Sequence, residues 1–222
     1  MTLWDNKHLS TTKRGKFITF EGIDGCGKTT QLRLLATSLR AEDRDVIETV
    51  EPGGTEIGRL IRKILLDPAS KEITPRAELL MYFASRAQNV EQVIRPALDR
   101  GAIVLCDRFT DSTLCYQGCG RGLDASLILT LDQIACQDIH PDLTVLIDID
   151  VATSQERARR RNERMSTNET RLDDESTAFH NRVRMGYHAL AKQHPGRFIV
   201  INGAPKAATI AKIVRHAINQ HV

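Results

Sequence analysis

The chain has 222 residues, the length of one ordinary domain. Hydrophobic residues make up 41% and charged residues 27%, which excludes a disordered or collagen-like chain. Lys plus Arg number 31 and Asp plus Glu 28, so the net charge of +3 does not by itself mark a nucleic-acid binder.

Taken in order, residues 1–15 read as a polar extension with no apolar stretch long enough for a secretory signal, and residues 16–222 read as a single domain. Lys16–Glu21 is a strand-like run, and Thr29–Ala41, with leucines at 32, 34, 35 and 39, predicts an amphipathic helix. Asp45–Val50 is a second strand. Thr55–Leu66 is a helix stopped by Asp67-Pro68. Thr74 and Pro75 open another helix as cap and first-turn proline; it heads towards Arg100 with a bend or interruption expected at Pro96. Ala102–Cys106 is continuously apolar, as suits a strand covered on both faces. Asp124–Cys136 reads as helix, Leu143–Ile149 as buried strand, Val151–Arg161 as basic helix and Asp173–Gln193 as long helix. Arg197–Ile201 is the last strand, before a helix from about Pro205. This alternation predicts an α/β fold, an open parallel sheet wrapped by helices through right-handed crossovers.

No run approaches the ~20 apolar residues of a membrane span, so no membrane partner is expected. The 5 cysteines lack paired C-x-x-C units and read as thiols of a reducing cytoplasm.

Gly22, Ile23, Asp24, Gly25, Cys26, Gly27, Lys28 and Thr29 fit G-x-x-x-x-G-K-[ST] between a strand and a helix. Glycines let the backbone turn its amides towards phosphates, and the helix N-terminus adds partial positive charge. Lys28 can reach β- and γ-phosphates and Thr29 can offer a hydroxyl to Mg²⁺. Thr30 reads as a solvated first-turn residue or a further contact. The loop marks an ATP-type site and leaves the reaction open. A switch GTPase would carry Asn-Lys-x-Asp, whereas the chain's Asn6-Lys7 precedes the first strand and is followed by Leu9 where Asp is needed. A mechanical ATPase would end a strand in two acids, whereas here Asp107 is followed by Arg108. An arginine beside the phosphate site suits a second, anionic substrate, which favours a kinase.

The segments FEGIDGCGKTTQ, EPGGTEIGRLIRKIL, RAQNVEQVIRPAL, DRFTDSTLCYQGCGRGL and RLDDESTAFHNRVRMGY resemble those of the thymidylate kinase family, in the same order along the chain. The resemblance implies the three-layer fold of P-loop nucleoside monophosphate kinases, with a five-stranded parallel sheet and a short basic lid. It implies Mg²⁺-dependent transfer from ATP to dTMP, and a homodimer. It places Glu51 and Arg62 at the acceptor phosphate and Arg108 as its partner. Asp107 would serve the metal with Thr29 by orienting Mg²⁺-bound water, or would hold Arg108. Tyr82 would stack on the base and Arg86, one helical turn on, would read it. Thr113 and Gln117 would lie near the base and Tyr116 near the sugar. Asp24 would touch the acceptor's 3′-hydroxyl or an arginine, the alternative being a turn-stabilising aspartate. Val50 stands where the family usually has Arg, Tyr82 where it has Phe, and Phe109 where it has Tyr. These departures keep another (deoxy)nucleoside monophosphate open as acceptor. A non-catalytic nucleotide-responsive module is the reading from a different class.

Arginines at 157, 159, 160, 161, 164 and 171 crowd one segment. Such density needs anions nearby. It lacks the interleaved aromatics of a single-strand nucleic-acid surface, so no nucleic-acid partner is expected. A lid over triphosphate, about residues 157–171, fits better. With Gly25 after Asp24, the resemblance implies that lid arginines act in catalysis, and Arg160, Arg161 and Arg164 are the candidates. Arg171 is expected to pair with Asp173–Glu175 or to touch the base of ATP.

Overall fold

The computed structural model describes residues 14–165 and 169–221. Residues 1–13 of the expected extension and residues 166–168 of the expected lid lie outside the described residues. Five strands, β1 (Phe17–Glu21), β2 (Val46–Val50), β3 (Ile103–Asp107), β4 (Leu143–Asp148) and β5 (Phe198–Asn202), pair in the order β2-β3-β1-β4-β5. Every pair is parallel. The central strands β1 and β3 are buried along their whole length, because helices cover both faces of the sheet.

Side chains alternate across each strand and feed two apolar clusters. Ile18, Phe20, Ile103 and Leu105 meet Leu32, Leu35 and Leu39 of α1 (Lys28–Arg40) and Val214 of α9 (Ala207–Ile218). Phe17, Val104 and Cys106 point the other way. They meet Leu79 and Phe83 of α3 (Pro75–Asn89), Leu98 of α4 (Arg95–Asp99) and Ile128 of α6 (Ala125–Cys136). Helix α2 (Glu56–Leu66) follows β2 and packs on α3.

The helix expected from Thr74 towards Arg100 is broken into parts. Helix α3 is capped by Thr74, a π turn spans Val90–Ile94, and α4 carries Pro96 near its start. Proline has no N–H to donate and its ring crowds the preceding turn, so the helix widens just before it. A second widening goes unannounced by sequence periodicity: α5 (Thr110–Thr113) continues as a π-helix over Leu114–Gly120. Its packing against α8 (Thr177–Gln193) is close, since a Cβ on Gly186 would lie 2.8 Å from the Cys119 sulfur. Helix α8 starts at Thr177, not at Asp173, because Ser176 caps it by accepting from Phe179 N–H at 3.2 Å. Helix α7 (Val151–Met165) runs past Arg161, its outer face laced by pairs such as Glu156–Arg159 and Arg159–Glu163.

Register decides what the sheet presents at its carboxyl edge. Phe20 sits level with Asp107 and Val145, and Val50 level with Asp107. The turns after β1, β2 and β3 therefore emerge side by side, at the end of the sheet where such folds bind ligands.

Candidate active site

The turn after β1 is the phosphate loop. Gly22, Gly25 and Gly27 have φ of 134°, 82° and 101°, in the region that favours glycine. A side chain on Gly25 would also collide with the Ser154 carbonyl at the start of α7. Ile23 and Cys26 are buried, so they contribute backbone to the loop's concave side. Lys28 opens α1 and is itself buried; its Nζ donates to the Ile23 carbonyl at 3.1 Å. The Thr29 hydroxyl donates to Asp107 Oδ2, which brings the two expected metal ligands together across 78 residues of chain. Thr30 is exposed at the cavity rim with Arg33, a cation that motif reasoning passed over.

Arg108 joins this loop to the turn after β3. Its φ of +70° is unusual for a residue with a Cβ, and it turns the guanidinium back over the loop. Nη1 donates to Gly22 O (3.0 Å), Ser112 Oγ (3.0 Å) and Tyr187 Oη (3.1 Å). Nη2 donates to Asp24 Oδ1 (2.7 Å) and Tyr116 Oη (3.0 Å), and Tyr116 Oη donates to Asp24 Oδ2 (2.8 Å). Burial alone would raise the Asp24 pKa, but Arg108 and Lys28 outweigh it and hold the carboxyl well below the usual range. The arginine contact expected for Asp24 is made, and Asp24 also lines the cavity. Behind Arg108 lies Glu21, fully buried, whose carboxyl is pushed up to about 7 by burial and then by the Asp111 charge.

Tyr82 and Arg86 share a face of α3 and both line the cavity. Arg86 is only 1% exposed, so it lies in the wall rather than on the surface. It donates from Nε to Glu51 Oε2 at 2.5 Å, from Nη1 to Thr110 at 3.3 Å and from Nη2 to Thr113 at 2.9 Å. The Phe83 and Phe109 rings flank its guanidinium at 4.9 and 5.0 Å. Asn89 is buried and donates to Glu51 at 3.1 Å. Glu51 and Thr113 thus reach the cavity as the groups that hold Arg86. Gln117 donates to the buried Glu78 at 2.9 Å. Arg62 donates to Pro52 O at 2.9 Å and to Glu169 at 3.0 and 2.8 Å.

The basic segment divides. Arg161 lines the cavity and pairs with Asp173 at 2.7 Å. Arg160 is exposed and pairs with Glu156 at 2.5 Å on its own helix, and Arg164 is exposed on the last turn. Arg171 pairs with Glu78 at 2.6 Å, in place of the expected pairing with Asp173–Glu175. The surrounding cavity, about 630 Å³, takes in the phosphate loop, Arg108, the α3 pair and Arg161. That is room enough for small-molecule substrates.

A family model described as thymidylate kinase matches residues 20–213, nearly the whole of this fold with all of its cleft. The chain belongs to the thymidylate kinase family. It is 54% identical over 190 residues to a thymidylate kinase of Geobacter sulfurreducens, covering 85% of this chain and 89% of that one. It is 50% identical over 203 residues to a thymidylate kinase of Trichlorobacter lovleyi, covering 91% and 96%. A crystal structure of thymidylate kinase from Ehrlichia chaffeensis superposes with a TM-score of 0.75 at 35% identity, covering 93% of this chain and 99% of that chain.

Against the thymidylate kinase pattern, the three departures fall in different places. Phe109 is wholly buried, edge-on against Phe17 at 4.9 Å and beside the Arg86 guanidinium, so its ring lies in the core behind the cleft wall. Val50 and Tyr82 do line the cleft. Motif reading within this thymidylate kinase fold missed Glu21, Glu78, Ser112 and Tyr187. Glu21 closes an apolar strand and stands in the segment FEGIDGCGKTTQ, but neither pattern singles it out.

Proposed function

We propose that this chain moves the γ-phosphoryl group of ATP onto dTMP, giving dTDP and ADP. Lys28 and the loop amides hold the donor phosphates, with Gly22–Thr29 and Thr30 forming the ATP side. Arg108 and Arg62 hold the acceptor phosphate, Tyr82 stacks on the base and Arg86, braced by Glu51 and Thr113, hydrogen-bonds its edge. Tyr116 and Gln117 border the sugar and base. Asp24 orients Arg108 and, from the cavity wall, is placed to meet the acceptor's 3′-hydroxyl. Thr29 and Asp107 put two oxygen ligands side by side, the donor type that Mg²⁺ takes. Thr29 and Asp107 would hold such an ion, which when bound would supply positive charge to offset that of the phosphates. Of the arginines at 160, 161 and 164, Arg161 is the one poised to meet the phosphoryl in transit.

The observation that carries this reading is Arg108. One guanidinium touches both the donor loop, through Gly22 and Asp24, and the acceptor wall, through Tyr116 and Ser112. Two anionic substrates facing each other need a cation at that junction. The second part of the proposal is a homodimer. Ile57, Leu60 and Ile64 form an exposed apolar stripe along α2, with exposed Leu80 on α3 and Ile134 on α6. Five free cysteines suit a reducing cytoplasm, and among the described residues no helix is long and apolar enough to cross a membrane.

Turnover with ATP and Mg²⁺ against dTMP, dUMP, UMP, dCMP, dGMP and AMP tests the acceptor. The highest kcat/KM is expected for dTMP, and equal or better turnover of another monophosphate overturns the assignment.

A further inference from the structure

We infer that Glu21 is a positioning residue for the phosphoryl acceptor: by gripping Arg108 through both backbone and guanidinium, it sets where the acceptor phosphate is held. This rests on the acceptor role proposed above for Arg108. Glu21 ends β1, is 0% exposed and is absent from the cavity wall, so it acts through its neighbours. Oε1 accepts from the Phe109 N–H at 2.7 Å, and the carbonyl of the preceding residue, Phe20, accepts from the Arg108 N–H at 3.0 Å. The last two residues of β1 therefore hold both peptide groups around the positive-φ Arg108, a backbone conformation that side-chain-bearing residues disfavour.

The other oxygen governs the guanidinium. Glu21 Oε2 accepts from Ser112 Oγ at 2.6 Å and from Tyr187 Oη at 3.0 Å. The same two hydroxyls accept from Arg108 Nη1 at 3.0 and 3.1 Å. A carboxylate only accepts and a guanidinium only donates. Ser112 Oγ and Tyr187 Oη also lie 2.8 Å apart, so two hydroxyl protons serve three contacts. The carboxylate, which only accepts, draws at least one of them, the other either joins it or bridges the two hydroxyls, and both oxygens keep lone pairs facing Arg108. An amide in its place donates from nitrogen, which turns a hydroxyl proton towards Arg108 and leaves guanidinium N–H groups unpaired in a buried site. Tyr187 lies on α8, so the grip spans β1, the turn after β3 and the helix that follows the basic segment.

The test uses the full chain at about pH 8, where the Glu21 carboxyl is ionised, with Glu21→Gln, Tyr187→Phe, Arg108→Ala and the Glu21→Gln/Arg108→Ala double variant. Glu21→Gln is expected to raise the KM for dTMP about tenfold and to leave the ATP dissociation constant within about twofold. Water exchange of the Arg108 guanidinium protons, read by nitrogen-15 NMR, should speed up about tenfold or more once those bonds weaken. In the Arg108→Ala background Glu21→Gln should change the KM no further, because the two residues act as one unit. Tyr187→Phe, which removes one hydroxyl and keeps the packing, should move KM and exchange in the same direction by less, and it serves as the test if Glu21→Gln fails to fold. Unchanged exchange in a folded variant, or an equal KM increase in both backgrounds, overturns the inference. Failure of the unmodified chain to turn over dTMP overturns the substrate assignment instead, and the exchange measurement still decides the role of Glu21.

Discussion

An aspartate inside a phosphate-binding loop sets like charges against one another, and the fold compensates with Arg108, 2.7 Å from Asp24. The pair is worth keeping only if the guanidinium is needed where it is held. The same residue-by-residue reading separates the basic segment's candidates. Arg159 and Arg160 are spent on glutamates of their own exposed helix, where solvent and salt screen such pairs. Arg161 reaches across to Asp173 at the cavity wall. Arg161→Ala is therefore expected to lower kcat by about 10³-fold or more, the range of a transition-state arginine. Arg160→Ala should leave kcat within about twofold, as befits a screened surface pair. Steady-state kinetics on the two variants checks this, and equal losses would remove the distinction.

At the scale of elements, the site depends on helices whose ends are set by chemistry that periodicity underrates. Thr55 and Thr74 accept from Gly58 and Ala77 N–H groups and start α2 and α3 where the sequence places them. Pro96, expected to bend or interrupt the helix, is preceded by the π turn Val90–Ile94, and Asn89 just before that turn is buried against Glu51. Helix α1 opens on Lys28, and its apolar face is pinned to the sheet by Leu32, Leu35 and Leu39. Leu39 is 1% exposed, so Leu39→Ala leaves a cavity and should lower the unfolding free energy by about 2–5 kcal/mol in urea titrations. A smaller loss would mean that the far end of α1 collapses onto the sheet without anchoring the loop.

For the molecule as a whole, the apolar stripe Ile57, Leu60 and Ile64 is better placed against a second copy than against water. Leu60→Glu is expected to shift the sedimenting species from dimer to monomer at micromolar concentration; an unmodified chain that sediments as a monomer refutes the proposed homodimer. The amino-acid sequence alone determined the phosphate loop, the five strands and their alternation with helices, the capping threonines and the resemblance to thymidylate kinases. These are local patterns, written in spacings of a few residues. Tertiary structure alone decided that Arg62 meets Glu169, that Arg171 meets Glu78, that Phe109 belongs to the core, and that Glu21 reaches Ser112 and Tyr187 behind Arg108. The partners in those contacts lie far apart along the chain. Which of them meet follows from strand order and register, and the spacing of residues within any one segment carries no trace of either.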